Sequence, residues 1–131
     1  PDHIVGAIDL PYIFSNMANY VNDAIKYGMD TEVILYYSNN CYGTADAITV
    51  KRKKLRIHDL KTGSQPAHME QLMIYAALYF MEYKEDPNKF TTELRIYQNN
   101  DILICNPKAN EIIDITNAIR KGDEIIENVR T

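Results

Sequence analysis

Apolar positions recur along the chain with two different periods. Ile13, Met17, Tyr20/Val21 and Ala24/Ile25 follow the spacing of one helical face. They predict a helix that begins near Pro11, with Asp9 as its cap, runs to Tyr27 and stops at Gly28. Met69, Leu72, Met73, Ala76, Phe80 and Tyr83 repeat the helical spacing. They predict a second helix over residues 67–83, entered through the chain-breaking run Thr62-Gly63-Ser64-Gln65-Pro66. A third helix, starting at Asn110 or Asp114, carries Ile112/Ile113, Ile115, Ala118/Ile119, Ile125/Ile126 and Val129, with Gly122 weakening its middle. Runs rich in β-branched and aromatic residues predict strands at Thr31–Tyr37, Thr44–Val50, Leu55–Leu60, Thr91–Gln98 and Ile102–Cys105. The order is helix, three-stranded meander, helix, two strands, helix. This is an α/β fold, a mixed β-sheet of about five strands flanked by helices.

The second and third strands flank Lys51-Arg52-Lys53-Lys54 and read as a hairpin with a four-residue loop. Placing Val50 opposite Leu55 puts Ile48 opposite Ile57 and Asp46 opposite Asp59. Alternation then gathers Asp46, Ile48, Val50, Leu55, Ile57, Asp59 and Lys61 on one face, apolar near the turn and charged at the far end. Like charges directly opposite one another are destabilising. A positive group therefore belongs between Asp46 and Asp59: Lys61 is one candidate, a hard divalent cation the better one. If the first two strands pair across Ser38–Tyr42, Ile34 falls near Asp46 and Glu32 one step further along, which makes Glu32 a third acidic candidate. His58 points away from this face and reads as structural or exposed.

Gly43-Thr44-Ala45-Asp46, Asp59-Leu60-Lys61-Thr62 and Gln71-Leu72-Met73-Ile74-Tyr75 occur in that order. The set resembles the PD-(D/E)XK nuclease superfamily and, within it, the RecB-like exonuclease branch, whose pattern is GxxD, DxKT, QLxxY. The likeness is greatest to phage-encoded members. The resemblance implies a restriction-endonuclease-like core occupying residues 1–131 as a single domain. It also implies a further helix before the first strand, which this chain, starting at Pro1 without Met, is expected to lack.

The activity implied is divalent-metal-dependent DNA hydrolysis, exonucleolytic in character, in phage or bacterial DNA recombination, repair or processing. Phosphodiester hydrolysis needs an in-line water, neutralisation of the scissile phosphate and stabilisation of the leaving oxygen, and a divalent metal does most of this. Mg²⁺ or Mn²⁺ takes oxygen ligands. Asp46 and Asp59 supply carboxylates, the resemblance adds the Leu60 carbonyl, and Glu32 matches the family's upstream acid. Lys61, on the Asp59 face, orients or deprotonates the attacking water or stabilises transition-state charge. Gln71 and Tyr75, four apart on one helix flank, are the substrate-binding candidates. The alternative is a catalytically incomplete nuclease-fold module for DNA binding or assembly that needs a missing segment or partner. An RNA-directed nuclease shares every motif.

Composition narrows the rest. A chain of 131 residues, 46% hydrophobic, makes one domain with a real core. Its net charge of −4 argues against coating nucleic acid by bulk charge, although a basic surface can be local. The Lys51–Lys54 run reads as a solvated turn, since it lies at the far end of the strands from Asp46 and Asp59. There is no apolar run long enough for a membrane span and no signal peptide, so a cytoplasmic location is expected, and the resemblance implies a bacterium or phage-infected host. The 2 cysteines, Cys41 and Cys105, read as reduced and cannot supply the four thiolates of an iron–sulfur cluster. DNA is the expected partner, in a homo-oligomer or a larger recombination assembly.

Overall fold

A computed structural model describes residues 12–63 and 66–130, with side chains from residue 16 onward. The elements run in the predicted order: α1 (Tyr12–Tyr27), β1 (Asp30–Ser38), β2 (Cys41–Lys51), β3 (Lys54–Leu60), α2 (Met69–Glu82), a 3₁₀ turn (Pro87–Lys89), β4 (Thr91–Gln98), β5 (Asp101–Cys105) and α3 (Ala109–Arg130). The predicted Asp9 cap and the Pro11 start lie outside the described residues. The strands form one mixed sheet in the order β1-β2-β3-β4-β5. Only β3 and β4 run parallel. That pairing needs a crossover, and α2 supplies it.

Local chemistry explains the ends of these elements. Gly28 closes α1 at φ 63°, with Gly28 N–H on the Ile25 carbonyl at 3.1 Å and Met29 N–H on the Ala24 carbonyl at 2.9 Å. This paired closure needs a left-handed residue, which glycine adopts without a Cβ penalty. The β2–β3 and β4–β5 turns are tighter than the sequence pattern suggests. Lys51 pairs with Lys54 and Gln98 with Asp101, leaving two-residue loops. Arg52, Lys53, Asn99 and Asn100 all take positive φ, the conformation that matches the twist of flanking strands. At the start of α3, the Glu111 carboxylate accepts the Lys108 amide at 2.9 Å, covering an otherwise orphaned donor.

The core lies between the sheet and α2. Leu55, Ile57, Leu94 and Ile96 on the strands and Leu72, Ala76, Ala77, Leu78 and Phe80 on α2 are buried together. Buried residues occur around most of α2 because α3 covers its outer side, with Ile112 in the same cluster. On the opposite face of the sheet, α1 packs on β3 and β4. Tyr20 meets Tyr97 edge-on at 5.7 Å, and Tyr27 meets His58 edge-on at 5.9 Å.

The β2–β3 register is the expected one, with Val50 opposite Leu55 and Ile48 opposite Ile57. The β1–β2 register is not. Ile34 pairs with Thr44, not near Asp46, and the flanking pairs Thr31–Ala47 and Val33–Ala45 place Glu32 opposite Asp46. The connection is the short Asn39-Asn40 turn, with Ser38 paired to Cys41, and this draws the strands two residues further along one another. Strict alternation also fails here. Ile48 lies with Ile57 on the α2 face, yet Gly43, an odd number of residues away, also lies against α2 at Tyr75. Glu32, opposite Asp46, takes φ 53°, a left-handed conformation that costs a non-glycine residue about 1–2 kcal/mol.

Candidate active site

β2 extends beyond the point where β3 stops, and the two aspartates meet there. The Asp46 Oδ2 accepts the Leu60 backbone N–H at 3.2 Å, so the carboxylate of β2 is tied to the backbone between Asp59 and Lys61. Asp59 is only 7% exposed. Burial, together with its hydrogen bond to Asp46 and the charge of Asp46, pushes its carboxyl up to about 7, against the opposing pull of Lys61. The Lys61 ammonium lies 3.2 Å from Asp59 Oδ2. Asp59 Oδ2 is buried, and that ammonium is its charge partner.

α2 brings the third motif to the same place. Gln71 Nε2 donates to the Tyr75 hydroxyl at 2.8 Å. Burial, then the charges of Asp59 and Asp46, raise the Tyr75 phenol above its ordinary pKa, which puts the ring in the electrostatic reach of both carboxylates. The first glycine of the motif set has a steric role. A Cβ on Gly43 would come within 2.5 Å of Tyr75 Cε1, so the ring can lie on β2 only where no side chain stands.

Glu32 is exposed on the edge strand β1. It is level with Asp46 in register, but among the described residues no three His, Cys, Asp or Glu side chains come together as a metal-holding group. The described carboxylates that converge are therefore Asp46 and Asp59. A buried oxygen on Asp59, a second carboxylate beside it and a pKa raised by burial and then by Asp46 form a two-carboxylate donor set that fits a hard divalent cation. Two cavities lie elsewhere. One of about 400 Å³ is lined by Val33, Ile48, Val50, Tyr79 and Tyr83 near the β2–β3 turn. Another of about 380 Å³ lies between Met73 and Ile74 of α2 and Ile115 and Ile119 of α3. Neither touches the aspartates; the chemistry sits in the open strand ends.

The chain belongs to the DUF2800 family. The family model, described as "Protein of unknown function (DUF2800)", matches residues 17–117, and so spans α1 through the first turns of α3. All three motifs lie inside the DUF2800 match. No curated protein and no solved structure matches the chain. No helix among the described residues is long and apolar enough to cross a membrane.

Two features around the DUF2800 site escaped the sequence reading. Tyr20, seen there only as part of an apolar stripe, is half-buried with its phenol pushed up to about 12 by burial and then by Asp46, Asp59 and Glu32. Behind the sheet, Glu93 accepts from Arg56 at 2.5 Å and from Arg95 at 2.9 Å, and Arg95 and the Tyr97 hydroxyl both reach Asp23 of α1. Burial raises the Glu93 carboxyl, but the two guanidiniums outweigh it and hold it below its usual range. His58 in this layer is fully buried, and burial followed by Arg95 pushes it down to about 4, so it is neutral and structural. The basic turn is likewise partly occupied. Lys51 Nζ donates to the Tyr27 carbonyl at the end of α1 at 2.8 Å, and Lys53 lies 5.0 Å from the Phe90 ring centroid.

Proposed function

We propose that this protein is a divalent-metal-dependent nuclease that hydrolyses DNA phosphodiester bonds, acting from ends, with Asp46, Asp59 and Lys61 as its reacting core. The observation that carries the reading is the Asp46–Asp59 pair, crowded at a strand end, with a buried Asp59 oxygen 3.2 Å from the Lys61 ammonium. Support also comes from the PD-(D/E)XK likeness of the three motifs, whose residues converge on this spot.

Asp46 and Asp59, with the Leu60 carbonyl, would hold Mg²⁺ or Mn²⁺. When bound, the cation supplies neutralisation of the scissile phosphate and stabilisation of the leaving oxygen. The chain's own groups do the rest. The Leu60 amide fixes the Asp46 carboxylate, so the pair is oriented before substrate arrives. Lys61 is placed by the end of β3 to orient or deprotonate the attacking water and to stabilise negative charge in the transition state. The Gln71–Tyr75 pair presents an amide and a phenol beside the carboxylates as donors to the substrate backbone.

A second reading, a nuclease-fold module for DNA binding or assembly without catalysis of its own, is favoured by one observation. Among the described residues no third acidic side chain joins the aspartate pair. Calorimetric titration with Mn²⁺ tests the metal assignment common to the proposed mechanism. Wild type is expected to bind and Asp46→Asn to lose that binding; equal affinity in both would remove Asp46 from the site.

A further inference from the structure

Residues at three points of α1 fix where it stands on the sheet. Tyr27 packs on His58 of β3, Asp23 holds Arg95 at 3.3 Å and the Tyr97 hydroxyl at 2.5 Å, and Tyr20 packs on Tyr97. Tyr97 pairs with Leu60 in the parallel β3–β4 register, and its carbonyl accepts the Lys61 amide at 2.9 Å. Tyr20 is thus held one ring away from the strand end that carries Asp59, Leu60 and Lys61. It arrives from α1, on the sheet face opposite the α2 helix that delivers Tyr75. Among the described residues nothing takes up the Tyr20 hydroxyl in a hydrogen bond.

We propose that Tyr20 is a substrate-binding residue of the Asp46–Asp59 site, its hydroxyl donating to a phosphate oxygen of a nucleic-acid strand that passes over the ends of β2 and β3. This rests on the nuclease reading given above. Burial and the carboxylates of Asp46, Asp59 and Glu32 keep the phenol protonated, so it remains a donor across the working pH range. A neutral donor suits this position. Two carboxylates already stand nearby, and a phosphate brought against them gains from a hydrogen bond that adds no further negative charge.

The test uses the full chain and a short fluorescein-labelled DNA duplex with a single-stranded end. Binding is read by anisotropy in Mn²⁺, with Lys61→Ala as the background so that the DNA stays intact. Tyr20→Phe keeps the ring on Tyr97 and removes only the hydroxyl. The expected result is roughly 10-fold or more weaker DNA binding, the scale of one hydrogen bond to a charged acceptor, with Mn²⁺ affinity unchanged. Tyr97→Phe is the structural control, since it removes one of the two groups that hold Asp23, leaves the Arg95 contact, and keeps both a ring under Tyr20 and the Tyr20 hydroxyl itself. It is expected to lower the melting temperature without that loss of DNA affinity. Unchanged DNA affinity in Tyr20→Phe overturns the inference while cleavage by wild type leaves the nuclease reading standing. Equal weakening by Tyr20→Phe and Tyr97→Phe, at equal loss of melting temperature, also overturns it, because the effect is then structural. Absence of both binding and cleavage in wild type removes the nuclease reading itself and the inference with it.

Discussion

The Tyr75 ring lies on β2 at Gly43 so closely that a single added methyl group would meet its Cε1 at 2.5 Å. The glycine that opens the first motif and the tyrosine that closes the third are therefore two halves of one contact, separated by 32 residues of sequence. Gly43→Ala is expected to push the ring away from β2 and to destabilise the fold by roughly 1–3 kcal/mol, the usual scale of overpacking. In a Tyr75→Ala background the same change should cost little, because the obstructing ring is gone. Thermal denaturation of the four proteins of this cycle measures the coupling. Additive effects would dissociate the two residues.

The crowded aspartates make metal-free stability depend on pH. Asp59 has a folded pKa raised to about 7, above the ordinary carboxylate value it has in the unfolded chain. The folded state therefore holds a proton that the unfolded state releases. Its contribution to stability is present below pH 4 and is lost as pH rises through about 7. In EDTA the melting temperature should fall over this window from this group's contribution. Asp46→Asn removes a like charge and should flatten the slope, leaving the part that burial alone imposes. A slope as steep as that of wild type would show that the two carboxylates do not share a field.

Behind the sheet, Glu93 is engaged by both Arg56 and Arg95, and the three side chains are 10%, 18% and 15% exposed. Removing one partner of a buried pair leaves the other charge without compensation, at a cost of about 3–5 kcal/mol. Glu93→Ala is expected to reach that range in chemical denaturation, with Mn²⁺ affinity retained in whatever remains folded. A loss below about 1 kcal/mol, the scale of an exposed pair, would mean that the layer is wetter than its burial implies.

Much of this architecture is legible in the sequence wherever the determining contacts are local. Ile48 and Ile57 are opposite one another because alternation on both sides of a short turn admits one register that buries them. Asp46 and Asp59 lie one step beyond the last pair of that ladder, Ala47 and His58, so their approach was legible in the sequence. The β1–β2 register escaped because it depends on whether Ser38–Tyr42 is a loop or a tight turn, and composition favours both. Glu32 then takes a left-handed backbone that no strand pattern anticipates. Tyr20 looked like any apolar position of α1, since a helical stripe does not say which face of the sheet it covers. Glu93 and Arg95 meet Arg56 only through the parallel β3–β4 pairing, a contact made across the whole α2 crossover.

In the proposed mechanism Asp46 and Asp59 serve metal binding while Lys61 serves the chemical step. Single-turnover cleavage of linear and circular DNA in Mn²⁺ and in EDTA, with wild type and Lys61→Ala side by side, tests this most directly. Wild type is expected to cleave linear DNA in a Mn²⁺-dependent way. Lys61→Ala is expected to be slower by roughly 10²-fold or more, the scale for losing a positioned acid–base group, with Mn²⁺ and DNA binding retained. Cleavage by Lys61→Ala at the wild-type rate would contradict the assignment of Lys61, and a wild-type protein that binds Mn²⁺ yet cuts no DNA would contradict the nuclease itself.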